Sequence, residues 1–426
     1  MSTETENRCP VEHLPRLYDE DYRHSAHPAI YDRLAEQGPI QRVMVPGEVP
    51  VWMITRHAEA REAMRDPRLI KNPSGFTSRQ QPIGRRRVPE DITVVAGRQP
   101  SNTDGPEHAR LRHVLNPLLS HAALERHQPE ITRIVEEHAG LLRARTRGGA
   151  GAQAEADLVS GYARPVVVAV TSHVLGLKPE HAERMMILGI RQFGPEHPED
   201  PEMVAGYREL TALVAESVEE RERQPGRDVT SLLVRAHRAG SLSRRELLSM
   251  VATLVLGSGG PPTTLISYGA ALLLHDERAR AALLDGRAPQ VVEELLRIHP
   301  PVPSSTWRFA AEPLEIGGQR IATGEAVLIA LPAANRDARV YANAATIDVG
   351  DRPPAPHVSF GNGPHYCAGA FLARRTAATA LPALFRAFPE MALAEGLDQA
   401  EWNGVLGNRL PDAIRVRLGR EQGARR

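Results

Sequence analysis

Apolar residues recur at three- and four-residue spacing over most of the chain. That period puts them on one helical face. It marks helices over 27–37, 57–66, 121–144, 163–176, 178–193, 202–222, 228–239 and 370–388. Alternation with period two is confined to a few stretches. Residues 40–55 read as a hairpin turning at Pro46-Gly47, residues 314–321 and 326–330 as strands, and 389–418 as strand-like. The pattern predicts a mainly α protein with minor β sheets. An irregular arm over 1–25, one domain over 26–420 and a tail over 421–426 follow from where the periodicity starts and stops.

One helix stands apart. Ser243 with Glu246 forms a capping box, and apolar residues then continue through Leu247, Leu248, Val251, Leu254 and Val255 to Leu265, Ile266 and 272–274. A helix of about 30 residues, near 45 Å long, should cross the core. Its centre reads Leu256-Gly257-Ser258-Gly259-Gly260-Pro261-Pro262-Thr263-Thr264. Interior prolines remove the amides that would reach the Gly257 and Ser258 carbonyls, each at roughly 3 kcal/mol. A kinked or opened turn is expected there, with two carbonyls free for water or substrate.

Two aperiodic segments matter. Residues 68–103 form a long loop of a kind that is usually functional, with the run Gly84-Arg85-Arg86-Arg87. Such a run is usually solvated; an arginine turned inward would suit a carboxylate. The connection at 145–152 reads as flexible and that at 194–201 as rigid.

Composition narrows the class. Fifty-two basic residues balance 52 acidic ones, so nothing asks for a nucleic acid or an anionic membrane as partner. Hydrophobic residues make up 42%, enough for a sizeable core. No run approaches the roughly 20 apolar residues that span a bilayer. Met1 to Pro15 is polar and acidic, without an apolar leader. A soluble, cytoplasmic, monomeric protein is expected. Cys9 and Cys367 are the only thiols, too few for a disulfide framework.

The chemistry centres on Ser359-Phe360-Gly361-Asn362-Gly363-Pro364-His365-Tyr366-Cys367-Ala368-Gly369. Glycines let a backbone approach a flat ligand closely. A thiolate at the start of a helix is stabilised by the helix N-terminus. One cysteine cannot build a zinc or iron–sulfur site, which suggests a single sulfur ligand to a metal already held by a cofactor. Elsewhere, Asp104-Gly105-Pro106-Glu107 signals a helix start by a capping Asp, an early Pro and a Glu three residues on. His108 and Arg112 then share one face and want an anion; alone, such a pair is more often solvated. Glu294 and Arg297 lie three apart among apolar neighbours, so they must pair or be exposed.

The loop resembles the haem-ligand loop of the cytochrome P450 family, Phe-Gly-x-Gly-x-His-x-Cys-x-Gly. Phe360, Gly361, Gly363, His365, Cys367 and Gly369 fill every defined place. His108-x-x-x-Arg112, Glu294-x-x-Arg297, Arg308 and Asn335-Arg336-Asp337 match further landmarks in order, so the resemblance covers about residues 25 to 420.

It implies the cytochrome P450 fold, with the long helix over a haem, and haem b with Cys367 as axial iron ligand. It implies His108, Arg112, Arg308 and His365 against the propionates, and Gly257, Phe360, Gly361 and Gly369 at the cofactor. Glu294 and Arg297 would lock the core to the Cys367 loop. Leu256, Val302, Ser305 and Val405 would edge the substrate cavity.

The family usually has an acid and a threonine at the long helix's centre, as a proton relay. Here Gly260 and Pro261 stand in their places. Ser258, Thr264 or a water on the freed carbonyls would take over, or the relay is lost and the chemistry differs. The resemblance implies a monooxygenase acting on a small, secondary-metabolite molecule with O2 and electrons from a ferredoxin-type partner, which Arg374 and Arg375 could meet. Two alternatives stay open: a haem-thiolate enzyme doing oxidative coupling, cyclisation or peroxide-driven oxidation, and a non-catalytic haem- or ligand-binding protein.

Overall fold

The computed structural model describes residues 13–18, 20–46, 48–72, 97–146, 155–191, 201–350, 355–404, 406–407 and 409–419. Cys9, Arg85 to Arg87, the connections at 147–152 and 194–200, Val405 and the tail lie outside them. Helices dominate and the sheets are small, as the periodicity predicts.

The long helix runs from Arg244 to His275, 32 residues. Its start carries the expected capping box: Ser243 N–H donates to Glu246 and Glu246 N–H to the Ser243 hydroxyl. Arg110 also donates to Glu246, tying in a neighbouring helix. The helix packs on Arg164–Leu175, Pro179–Arg191 and Ala370–Ala387. Its approach to Pro179–Arg191 is close. A methyl at Gly259 would stand 2.8 Å from Met186 Cγ, and one at Gly189 would collide with Leu256.

The opened turn at Pro261 and Pro262 does not occur: the helix runs without interruption through both. Gly260 explains part of this. Proline crowds the Cβ of the residue before it, and glycine has none. Packing at Gly259 holds the backbone as well. Covalent structure still denies the Gly257 and Ser258 carbonyls their amide donors.

Proline decides the other boundary that differs. The helix expected over 121–144 is two, His121–Glu125 and Gln128–Thr146. Pro129 would cost an interior hydrogen bond to Glu125 but is tolerated in a first turn, so the helix stops and restarts.

A five-stranded sheet lies beside the helices in the order Ile40–Val45, Val49–Ile54, Ala326–Ile329, Arg308–Ala310, Leu69–Ile70. The hairpin pairs Ile40 with Ile54 in antiparallel register, and Trp52 faces Val327 across the one parallel pair. The strand Arg308–Ala310 carries Arg308 into the interior, where it is 4% exposed. The short strand Glu155–Asp157, which the sequence pattern does not announce, pairs with Arg415–Arg417.

The described part of the arm, 13–18 and 20–25, carries more structure than expected. Residues 20 to 24 form a helix, Leu17 N–H donates to the Met44 carbonyl at 2.9 Å, and Leu17, Tyr22 and Tyr31 are buried together.

Candidate functional site

The Cys367 loop is shaped by its glycines. Gly361 and Gly363 take φ of 78° and 77°, a region other residues enter at a cost. A methyl on Gly363 would also stand 2.9 Å from Arg65 Cγ and 3.1 Å from the Met64 carbonyl. The turn brings Cys367 N–H to the Phe360 carbonyl at 2.9 Å. Gly369 caps the helix Ala370–Ala387. The amides of Gly369 and Ala370 point at the Cys367 sulfur, and Arg112 and Arg374 lie near enough to favour a thiolate.

Burial outweighs them and raises the thiol. Yet the Cys367 side chain is accessible at its surface. The sulfur is thus closely surrounded yet open on one face.

Cationic groups gather beside it. The His108 and His365 rings lie 4.2 Å apart, joining the Gly105–Leu115 helix to the loop. Arg112 donates to the Tyr366 carbonyl at 3.0 Å. His365 Nδ1 lies 3.2 Å from the Pro100 carbonyl, and its Nε2 3.7 Å from Asp104. Burial, helped by His365 and Arg112, pushes His108 down to about 4. Burial likewise pushes Arg308 to about 10.

Two of these groups are left wanting. His108 Nε2 and Arg308 Nε are buried without a hydrogen-bond partner. Buried orphan nitrogens are uncommon and call for a ligand.

Two residues that the sequence reading missed organise this ring. Lys71, 5% exposed, gives its ammonium to the Thr306 hydroxyl at 2.6 Å and to the Thr306 and Trp307 carbonyls at 3.0 Å each. It thereby fixes the segment leading into Arg308. Asp104 was expected to cap its helix by side chain, but it makes no such bond. Its carboxylate instead accepts the Lys71 and Asn72 amides at 2.8 and 2.9 Å. Glu107 pairs with Arg98 rather than completing a capping box. A lone buried lysine and a helix-start aspartate carry no spacing that would have paired them.

The Glu294–Arg297 pair is buried, 1% and 2% exposed, with contacts of 2.8 Å. Arg297 also donates to the carbonyls of Asn335, Asn343, Ala344 and Thr346. Asn335 in turn accepts the Val358 amide at 2.8 Å and donates to Ser359 at 2.7 Å, and Ser359 donates to the Leu296 carbonyl. The pair thus reaches the Cys367 loop through Asn335 and Ser359.

The other expected positions separate. Ser258 is half-exposed and its hydroxyl donates to Val255 O at 2.9 Å. Thr264 is fully buried and its hydroxyl is committed to the Arg409 carbonyl at 2.9 Å, which removes it from the relay candidates. Leu256 leans on Gly189, and Val302 packs on the sheet core. Ser305 spends its hydroxyl on the Ile329 amide and the Thr306 carbonyl, so it offers no free group to a cavity. The 302–306 segment does meet the C-terminal turn, because Ser304 N–H and hydroxyl both reach the Leu406 carbonyl. Arg374 and Arg375 are not free: they pair with Glu293 and with Glu125 and Gln128.

A family model for cytochrome P450 matches residues 288–406. Nocardicin C N-oxygenase of Nocardia uniformis subsp. tsuyamanensis is 33% identical over 88% of this chain and 91% of its own. The tirandamycin C-bound P450 monooxygenase TamI superposes with a TM-score of 0.82 at 30% identity, over 95% of this chain and all of that one. This chain belongs to the cytochrome P450 family. A further P450 of known structure, CxnD for C–S bond formation in chuangxinmycin biosynthesis, superposes with a TM-score of 0.81 at 26% identity, over 95% of this chain and 97% of that one.

The P450 is an oxidoreductase of the monooxygenase type, and the family implies a haem with cysteine-thiolate ligation. Its residues fit that group. An accessible lone sulfur, two orphaned nitrogens and a surplus of cationic groups over one carboxylate suit a flat ligand bearing a metal and two carboxylates. Among the described residues, no cluster of three His, Cys, Asp or Glu could hold a metal by itself. No described helix is long and apolar enough to cross a membrane.

Proposed function

We propose that this P450 oxidises a small secondary-metabolite substrate with O2, using electrons from a ferredoxin-type partner. The observation that carries the reading is the Cys367 sulfur, open on one face with Arg112 near it, beside a loop where His108, His365 and Arg308 gather about Asp104.

In this reading Cys367 would hold the iron of haem b through its sulfur. The Gly369 and Ala370 amides hold charge on its sulfur. Burial raises the free thiol, so taking up the metal releases a proton. Once bound, the thiolate-ligated iron supplies O2 activation. His108, Arg112, Arg308 and His365 would hold its two carboxylates, the unpartnered His108 Nε2 and Arg308 Nε among the donors. Arg297 holds the loop in place through Asn335 and Ser359.

Proton supply is the unusual part. Gly260 and Pro261 can neither hold nor pass a proton by side chain. Ser258 and water on the adjacent carbonyls remain as carriers. That absence favours a second reading in parallel: coupling or cyclisation of the substrate, where proton delivery to oxygen matters less.

Turnover separates the two. NADH consumption through a ferredoxin and its reductase, against a metabolite panel, should yield product carrying one added oxygen. Product without added oxygen would select the second reading. Under the first, Gly260→Glu with Pro261→Thr should raise the fraction of electrons that reach product; unchanged coupling removes the water-carrier idea.

A further inference from the structure

The Pro261–Pro262 pair leaves a chemical mark on one face of the long helix. Neither residue has an amide hydrogen, so the carbonyls of Gly257 and Ser258, four residues back, lack their helical donors. Between residues 257 and 264, these two and the two prolines are the accessible ones. Gly257 is exposed, and Ser258, Pro261 and Pro262 are half-exposed, whereas Gly259, Gly260, Thr263 and Thr264 are buried. Among the described residues, a methyl at Gly257 would meet no atom of another element within 4 Å, so space stands before that face.

Local hydroxyls do not fill the gap. Ser258 donates to Val255 O at 2.9 Å, Thr263 to Gly259 O at 2.8 Å, and Thr264 to Arg409 O at 2.9 Å. Residues 247 to 274 carry no charged side chain. On the helix itself the face therefore presents two acceptors and no charged side chain.

We infer that this face is a donor-reading wall of the substrate cavity. The substrate is a small organic molecule that presents an O–H or N–H group to Gly257 O and Ser258 O. The inference rests on the proposed placement of the haem beneath this helix. Carbonyl oxygens only accept hydrogen bonds. The wall thus favours an alcohol, amine or amide and disfavours the same scaffold carrying an ether or a carboxylate there. A site built to pair a polar hydrogen discriminates strongly against the analogue lacking it.

Matched ligand pairs test it on the haem-loaded protein: cyclohexanol against cyclohexyl methyl ether, and phenol against anisole. The readouts are the ferric Soret shift and the thermal midpoint. Each donor should bind about 3- to 10-fold more tightly than its ether, the worth of one net hydrogen bond. Pro261→Ala with Pro262→Ala restores both amides and favours the helix. It should shrink the preference to within about twofold and leave the ethers unchanged. Equal response to both members of a pair, no response to either, or an undiminished preference in the double variant would overturn the inference. The reduced CO spectrum of the same samples reports separately on the haem. A sample without a red-shifted Soret band fails the haem reading, while the thermal midpoint still scores the donor preference.

Discussion

The His108 ring lies 4.2 Å from the His365 ring, so the Gly105–Leu115 helix and the Cys367 loop meet through two imidazoles. Both are held below their ordinary range, chiefly by burial, and His108 reaches about 4. An imidazole in a buried cationic cluster stays neutral until an anion joins it.

This has a pH consequence for the ligand-free chain. The folded pKa of His108 lies below the unfolded 6.5, so the unfolded chain binds the extra proton. Stability should fall as pH drops from 6.5 toward 4. Urea titrations of wild type and His108→Gln across that window check it. The variant should show the weaker dependence; parallel curves would contradict the assignment.

Arg297 is the strongest structural prediction. Arg297→Ala leaves the Glu294 carboxylate buried without its partner and four carbonyls without their donor. A loss of about 3–5 kcal/mol is expected. Glu294→Gln with Arg297→Met, which removes both charges, should cost less than the single change. Chemical denaturation midpoints decide the order.

How far these two sites were legible differs by physics. Glu294 and Arg297 share one helical turn, and Cys367 sits in a run of spaced glycines, so short-range spacing disclosed both. The Lys71–Asp104 link spans 33 positions and runs through the lysine's backbone amide, which no side-chain pattern encodes. Most helix positions followed from period 3.6. The break before Gln128 and the continuity through Pro261 went the other way, because the cost of proline depends on its place in the helix and on what supports the turn. The long helix's missing acid and threonine were legible outright. What replaces them depends on where Thr264 points, which only the fold decides.

Lys71 should prove indispensable to the cationic ring. Lys71→Met removes three donors and strands the Thr306 and Trp307 carbonyls. A loss of about 1–3 kcal/mol is expected. The urea midpoint reads it, and an unchanged midpoint would show that the 306–308 segment does not need the ammonium.

Arg409 joins the two ends of the chain. Its guanidinium lies 4.4 Å from the Tyr22 ring and 5.0 Å from that of Trp402, and it donates to the carbonyls of Tyr22, Ser25 and Ala26. Arg409→Met should free the first helices. Amide exchange over residues 20 to 37 is expected to quicken by at least about tenfold, with the long helix unaffected. Unchanged exchange would mean that the buried tyrosines alone hold the arm.

The central claim is that Cys367 binds iron as a thiolate, and the spectrum of the reduced CO complex tests it most directly. Wild type should show the red-shifted Soret band of cysteinate ligation. Cys367→His should lose that band while still binding haem through the His108, Arg112 and Arg308 ring. A wild-type spectrum without the shift, or a Cys367→His spectrum that keeps it, would contradict the account.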